Sequence, residues 1–72
     1  MINATFYCDI LNEDGETIQE DFDFDKGTFE SQEDLKKYMT NCNYEIGEPC
    51  GSWGTDVGIL KEVMIQKNRA VV

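Results

Sequence analysis

Three aspartates alternate with two phenylalanines in the segment Asp21-Phe22-Asp23-Phe24-Asp25. If this segment is a strand, its rise of about 3.3 Å per residue puts the three carboxylates on one side, roughly 6.6 Å apart. A row of negative charge can attract and orient a positively charged surface. The same row could equally be the solvated face of an antiparallel sheet. Aspartate is depleted in strands and neighbouring like charges destabilise them, which favours a functional role.

The same aspartates resemble the beginning of an EF-hand calcium loop, whose pattern starts D-x-D-x-D. The pattern then requires glycine at its sixth position and a bidentate glutamate at its twelfth. In this chain the glycine comes one place late, at Gly27, and the twelfth position is Gln32, with Glu33 also displaced by one. Calcium-responsive binding is therefore kept only as a second alternative.

Catalytic chemistry has no candidate group of residues in this sequence. The segment Cys50-Gly51-Ser52-Trp53 resembles part of the papain-family sequence C-G-S-C-W, but it lacks the second cysteine, which is the nucleophile there. The chain contains no histidine, so neither a cysteine nor a serine has a base to activate it. Paired carboxylates hydrolyse glycosides only when they face each other across a cleft. We expect that the protein is not an enzyme.

Cys8, Cys42 and Cys50 form no CxxC pair, and without histidine they cannot complete a mixed zinc site. These cysteines are expected to be free thiols, with no metal and no cofactor bound. The first residues lack a basic segment followed by an apolar run, and no stretch approaches about 18 consecutive apolar residues. We therefore expect a cytoplasmic protein in a reducing compartment.

Negative charge is concentrated in the N-terminal half of the chain. The 72 residues have a net charge of −9. Residues 1–35 contain eleven acidic residues and the single base Lys26, whereas residues 36–72 contain four acidic and five basic residues. This charge repels nucleic acids and anionic membranes and favours basic protein partners.

Two strands joined by a tight turn are predicted at the N-terminus. From Ile2 to Leu11, apolar and polar residues alternate as in a half-buried strand. The segment Asn12-Glu13-Asp14-Gly15 follows, and Asp-Gly between two alternating segments is a strong hairpin signal. The second strand starts near Glu16 and has Ile18, Phe22 and Phe24 on the face opposite the three aspartates.

One helix is predicted to follow these strands. Ser31 followed by Asp34 resembles a capping box, so the helix should begin at Gln32. Its apolar residues have the i, i+3, i+4, i+7 spacing of a single stripe, comprising Leu35, Tyr38, Met39 and Cys42.

The remainder of the chain is predicted to be a loop and a third strand. Residues 43–55 contain three glycines and the only proline, and leave room for a short strand near Tyr44. Residues 57–67 fit both strand and helix spacing. Their β-branched residues and Gly58 favour a strand. We therefore predict one α+β domain over residues 1–72, with the order ββαβ and the helix on one face of an antiparallel sheet.

The predicted function is binding to a basic surface of a nucleic-acid-binding protein, as an inhibitor that mimics nucleic acid, without direct binding to nucleic acid or membrane. In size and charge the chain resembles small inhibitors that phages and mobile elements use against CRISPR effectors, restriction enzymes and RNA polymerase. This is a resemblance of type, without a shared motif. The alternative is an accessory component of a larger assembly that binds through the loop around Trp53, although burial of Trp53 in the core is favoured. The predicted partner-binding residues are Asp9, Glu13, Asp14, Glu16, Glu20, Asp21, Asp23, Asp25 and Trp53.

Overall fold

The computed structural model describes residues 1–67. These residues form four strands and one helix, namely β1 (Ile2–Leu11), β2 (Thr17–Phe29), α1 (Gln32–Cys42), β3 (Pro49–Trp53) and β4 (Asp56–Lys67). The strands make one antiparallel sheet with the order β2-β1-β4-β3, and the helix lies on one face of that sheet. The predicted α+β class is confirmed.

The sheet has one strand more than the predicted ββαβ order. This strand, β3, lies inside the segment whose glycines and proline predicted a loop. A short strand at the edge of a sheet pairs on one side only, so Pro49 at its first position costs no ladder hydrogen bond. The composition was therefore compatible with an edge strand as well as with a loop.

The hydrophobic core is built on β1, the strand with a partner along each of its two sides. Every second residue from Ile2 to Ile10 is buried, as the alternation predicts. Phe6 is fully buried and packs with Leu35 from the helix and Leu60 from β4. We call this side of the sheet the inner face and the opposite side the outer face.

The predicted hairpin turn and helix boundaries are confirmed. The Asn12 side chain accepts hydrogen bonds from the backbone N–H groups of Asp14 and Glu16, and Gly15 supplies the positive φ of 82° that closes the turn. Ser31 caps the helix because its hydroxyl accepts a hydrogen bond from the Asp34 N–H. The helix therefore begins at Gln32, as the capping signal predicts.

The predicted strand over residues 57–67 is also confirmed, as β4. Its glycine has a packing role, because Gly58 lies opposite Gly51 of β3 and both leave space for the Trp53 indole. A Cβ atom on Gly58 would lie only 2.6 Å from Cζ3 of Trp53. The glycines and the tryptophan therefore form one packed unit at this edge of the sheet.

Three irregularities interrupt the pairing of β2 with β1. Phe6 lies opposite Asp25 and Tyr7 opposite Asp23, so that Phe24 is an extra residue between them. A second shift lies near Asp21, which has a left-handed φ of 54°. A third leaves Ile18 as an extra residue between Gln19, opposite Ile10, and Thr17, opposite Leu11. Because each bulge adds a residue on one strand only, strict alternation of the side chains between the two faces is lost.

Candidate binding surface

The aspartates of β2 do not form a single row. Asp23 lies opposite Tyr7 on the outer face, whereas Asp25 lies opposite Phe6 and faces the helix. The prediction that all three point into solvent is therefore wrong for Asp25. Ile18, which was predicted to lie on the apolar face, is not buried there: its side chain is 54% exposed, and it is the extra residue at the third irregularity. The bulges in β2 cause both differences.

Asp25 accepts two hydrogen bonds from tyrosines on the inner face. The hydroxyl of Tyr38 donates to Oδ2 of Asp25 at 2.5 Å, and the hydroxyl of Tyr44 donates to the same oxygen at 3.0 Å. Tyr38 belongs to the helix and Tyr44 to the segment after it. The Asp25 carboxylate therefore links both segments to β2 by hydrogen bonds. Asp25 therefore has a structural role, and its place among the partner-binding residues stays a prediction.

These hydrogen bonds change the acidity of both phenols. The bond to Asp25, together with burial, raises the pKa of Tyr38 to about 12. Burial is the larger cause at Tyr44, where the bond to Asp25 adds to it and the pKa is also raised. Both phenols therefore keep their protons at neutral pH and continue to donate to the carboxylate.

On the outer face, Asp9 and Asp21 share one lysine. Nζ of Lys61 lies 2.9 Å from Oδ1 of Asp21 and 3.8 Å from Oδ1 of Asp9. The Asp21 N–H donates to Oδ1 of Asp9 at 3.1 Å, which stabilises the left-handed conformation of Asp21. The hydrogen bond to Asp21 is the main cause that raises the pKa of Lys61. Two carboxylates face one ammonium group, so this cluster keeps a net negative charge.

The other predicted acidic residues are exposed in the hairpin turn and along β2, which is an edge strand. Lys61 is the one base that forms an ion pair with any of them in the described residues. We call this surface the acidic edge, and it comprises the exposed residues Glu13, Asp14, Glu16, Glu20, Asp21 and Asp23.

Trp53 lies on the inner face, away from Asp21 and Asp23 on the outer face. Its indole packs over Gly51 and Gly58 and makes an edge-to-face contact with Phe22, with ring centroids 5.8 Å apart. The side chain remains 42% exposed. Burial of Trp53 in the core was favoured, but the side chain is only partly covered and does not project freely into solvent. It also belongs to the strand β3, whereas a loop was predicted.

Comparison with protein families, with curated proteins and with solved structures found no match to this chain. Its own surface chemistry is therefore the basis for a functional proposal. No helix within residues 1–67 is long and apolar enough to cross a membrane.

The three cysteines are free thiols. Cys8 is buried beside Gly58, and Sγ of Cys50 lies 3.5 Å from the Gly58 carbonyl oxygen. Burial raises the pKa of Cys8, and it raises the pKa of Cys50 to about 11. Because the thiolate is the reactive form, neither of these two cysteines has the properties of a nucleophile.

The calcium interpretation stays a prediction. Asp21, Asp23 and Asp25 lie in a strand, and Asp25 is already engaged by two phenols. Among the residues that the structure describes, no three His, Cys, Asp or Glu side chains are placed to hold a metal ion. Titration with calcium, followed by thermal unfolding, checks this alternative.

Proposed function

We propose that this protein binds a positively charged surface of a nucleic-acid-binding protein through its acidic edge and thereby blocks nucleic acid from that surface. The observation that supports the proposal is the placement of six exposed carboxylates between Glu13 and Asp23 on an edge strand and its turn. Asp21 shares Lys61 with Asp9, and the other five have no ion-pair partner among the described residues. The negative potential of this edge is therefore largely uncompensated.

The physical basis is electrostatic complementarity. Nucleic acid presents closely spaced phosphate charges, and proteins that bind it carry matching lysines and arginines. A closely spaced series of carboxylates presents charge of the same sign to that surface and competes for it. Such pairing mainly accelerates association and sets specificity, so it weakens as salt is added.

Size and charge also support an inhibitor of the kind encoded by phages and mobile elements. The proposal includes a cytoplasmic location, where thiols such as Cys8 stay reduced. It does not include catalysis, because the sequence contains no histidine to act as the base for a cysteine or serine.

The experiment is affinity capture from a lysate of the source organism with matched charge variants. The edge variant carries Glu16→Gln, Glu20→Gln and Asp23→Asn, and the control carries substitutions of other exposed acids, Glu30→Gln, Glu45→Gln and Glu48→Gln. Both raise the net charge by three, starting from −9. We expect the parent and the control to retain the same nucleic-acid-binding protein, and the edge variant to lose it. Double-stranded DNA and high salt should both release that protein.

Equal capture by the edge variant and the control would contradict the proposal, because total charge and not the acidic edge would then determine binding. The accessory-component alternative predicts a different pattern. The exposed part of Trp53 would make an apolar contact, so Trp53→Ala would abolish capture and salt would have little effect. The two proposals are thus separated by which variant fails and by the salt dependence.

A further inference from the structure

The outer face of the sheet is not covered by another element of the described chain. All four strands lie in the sheet, and the helix packs against the inner face. Every second side chain of β1 from Asn3 to Leu11 points to the outer face and is half-buried. Within residues 1–67, an open sheet face therefore adjoins the acidic edge, and a partner bound to that edge lies within reach of it.

Tyr7 lies in the middle of this open face and differs from the other aromatic residues of the chain. The seven others form one network of ring contacts on the inner face. In the part of the chain that the structure describes, the Tyr7 ring contacts no other ring and its hydroxyl has no hydrogen-bond partner. The side chain is half-buried, so one side of the ring is open to a partner from outside.

Two carboxylates flank the Tyr7 ring. Asp23 of β2 lies directly opposite Tyr7 on one side, and Glu62 of β4 lies directly opposite on the other. Residues paired in this way have Cβ atoms about 4.5–5.5 Å apart. Both acids are exposed, and neither forms an ion pair within residues 1–67. The ring is therefore bordered on each side by a negative charge that the described chain does not neutralise.

We infer that the basic partner surface covers the outer face of the sheet and places an arginine side chain on Tyr7, between Asp23 and Glu62. A guanidinium group stacks on an aromatic ring and donates paired hydrogen bonds to a carboxylate, and this position offers both contacts. A lysine ammonium group is a compact, strongly hydrated charge without the planar fork that makes paired bonds. The inference rests on the proposed function and specifies the partner side chain that the surface selects.

Apolar side chains beside the carboxylates also suit a protein partner. Leu11 and Val57 lie opposite each other on the outer face, and Ile59 lies there opposite Asp9. All three apolar side chains are half-buried. The alkyl stem of an arginine packs on apolar surface while its charged end reaches a carboxylate, so a basic protein surface complements both parts of this face.

The charge of the outer face favours a basic partner over a second copy of the chain. Four acids and two bases lie on this face, namely Asp9, Asp21, Asp23, Glu62, Lys26 and Lys61. Two copies packed face to face would bring these acids together in chains that each have a net charge of −9. A basic surface is attracted to the same face, because the signs are then opposite.

The test is calorimetric titration of the purified full chain with two peptides of equal charge, nona-arginine and nonalysine. The readout is the ratio of their affinities. We expect nona-arginine to bind more tightly, and Tyr7→Leu to lower the ratio by about three- to tenfold, since it removes the stacking contact. Tyr7→Phe keeps the ring and should keep the ratio. Glu16→Gln combined with Glu20→Gln should weaken both peptides alike and leave the ratio unchanged, because these acids lie away from Tyr7.

Two further measurements keep the test decisive if Tyr7→Leu does not fold. Glu62→Gln should weaken nona-arginine binding more than Glu48→Gln, which makes the same charge change at an exposed acid outside the outer face. In the parent, nona-arginine should shift the NMR signals of the Tyr7 ring protons and of the Asp23 and Glu62 amides. The amides of the helix should not move.

Equal affinity ratios in the parent and in a folded Tyr7→Leu variant would overturn the inference, as would Tyr7 ring signals that nona-arginine leaves unmoved. The proposed function would still stand in either case if lysate capture depended on the acidic edge. Capture that is independent of the acidic edge, with the arginine preference at Tyr7 intact, would contradict the proposed function alone. Outer-face signals that move with chain concentration in the absence of peptide would assign this face to a second copy and overturn the inference.

Discussion

Substitution of Asp25 by alanine should destabilise the fold, whereas the same change at Asp23 should not. Both aspartates belong to β2, two residues apart, and only Asp25 accepts hydrogen bonds from Tyr38 and Tyr44. Hydrogen bonds to a charged group contribute about 1.5–3 kcal/mol each. Asp25 is half-buried, so water partly replaces the lost bonds and we expect a total loss of about 2–4 kcal/mol.

This loss is large for a small domain. At about 0.05–0.15 kcal/mol per residue, a chain of this length has a free energy of unfolding of about 4–11 kcal/mol. The melting temperature should fall by roughly 8–32 °C, since 1 kcal/mol corresponds to about 4–8 °C in domains of this size. Asp23→Ala should change the free energy of unfolding by no more than about 0.5 kcal/mol, because the side chain is exposed.

Urea unfolding followed by far-UV circular dichroism measures both variants. Asp25→Asn should be intermediate, because its amide oxygen still accepts a hydrogen bond but carries no charge. Equal midpoints for the Asp25→Ala and Asp23→Ala variants would refute the assignment of Asp25 to the core. The same result would support the prediction, made from the alternation, that the three aspartates form a single row.

Two further predictions concern the inner face. The pKa values of Tyr38 and Tyr44 are raised, so their hydrogen bonds to Asp25 stabilise the fold fully below the usual phenol pKa of about 10. This stabilisation is lost as pH rises further, through about 12 for Tyr38. Unfolding measured against pH should show this alkaline loss in the parent, and a smaller one in Asp25→Asn. Gly58→Ala should destabilise by about 1–3 kcal/mol, because its Cβ would overlap the Trp53 ring. Thermal unfolding checks this, and an unchanged melting temperature would show that the indole moves aside at no cost.

Elements with local signals could be predicted from the sequence. The hairpin depends on Asn12 and Gly15, whose side-chain acceptor and positive φ act within five residues. The helix start depends on Ser31, three residues from the N–H group that it caps. The alternation of β1 is regular because this strand has a partner on each side and one fully apolar face.

The bulges of β2 could not be predicted, because their cause lies elsewhere in the chain. Phe24 packs against Phe6 and Tyr44, and Asp25 turns inward towards two hydroxyls that the helix and the following segment provide. Those partners are 13 or more residues away in sequence from Asp25. Alternation alone therefore assigned Asp25 to the acidic surface.

The ion pair between Asp21 and Lys61 was missed for the same reason. The two residues belong to strands on opposite sides of β1, and no local pattern brings them together. The exposed acids from Glu13 to Asp23, in contrast, were identified correctly as surface residues by their position in the turn and on an edge strand. The sequence thus predicted most of the acidic edge but did not predict its ion pair with Lys61.

The packing of Trp53 against Gly58 has an optical consequence. Trp53 is the only tryptophan of the chain, and its indole lies beside Gly58, next to the Cys8 thiol. A thiol near an excited indole can quench its emission, and both groups border the same position at Gly58, so the folded protein should be weakly fluorescent. Separation of β3 from β4 removes the quencher and exposes the ring to water, which brightens the emission and shifts it to longer wavelength. The intrinsic fluorescence of Trp53 therefore reports, without a label, whether β3 is paired with β4.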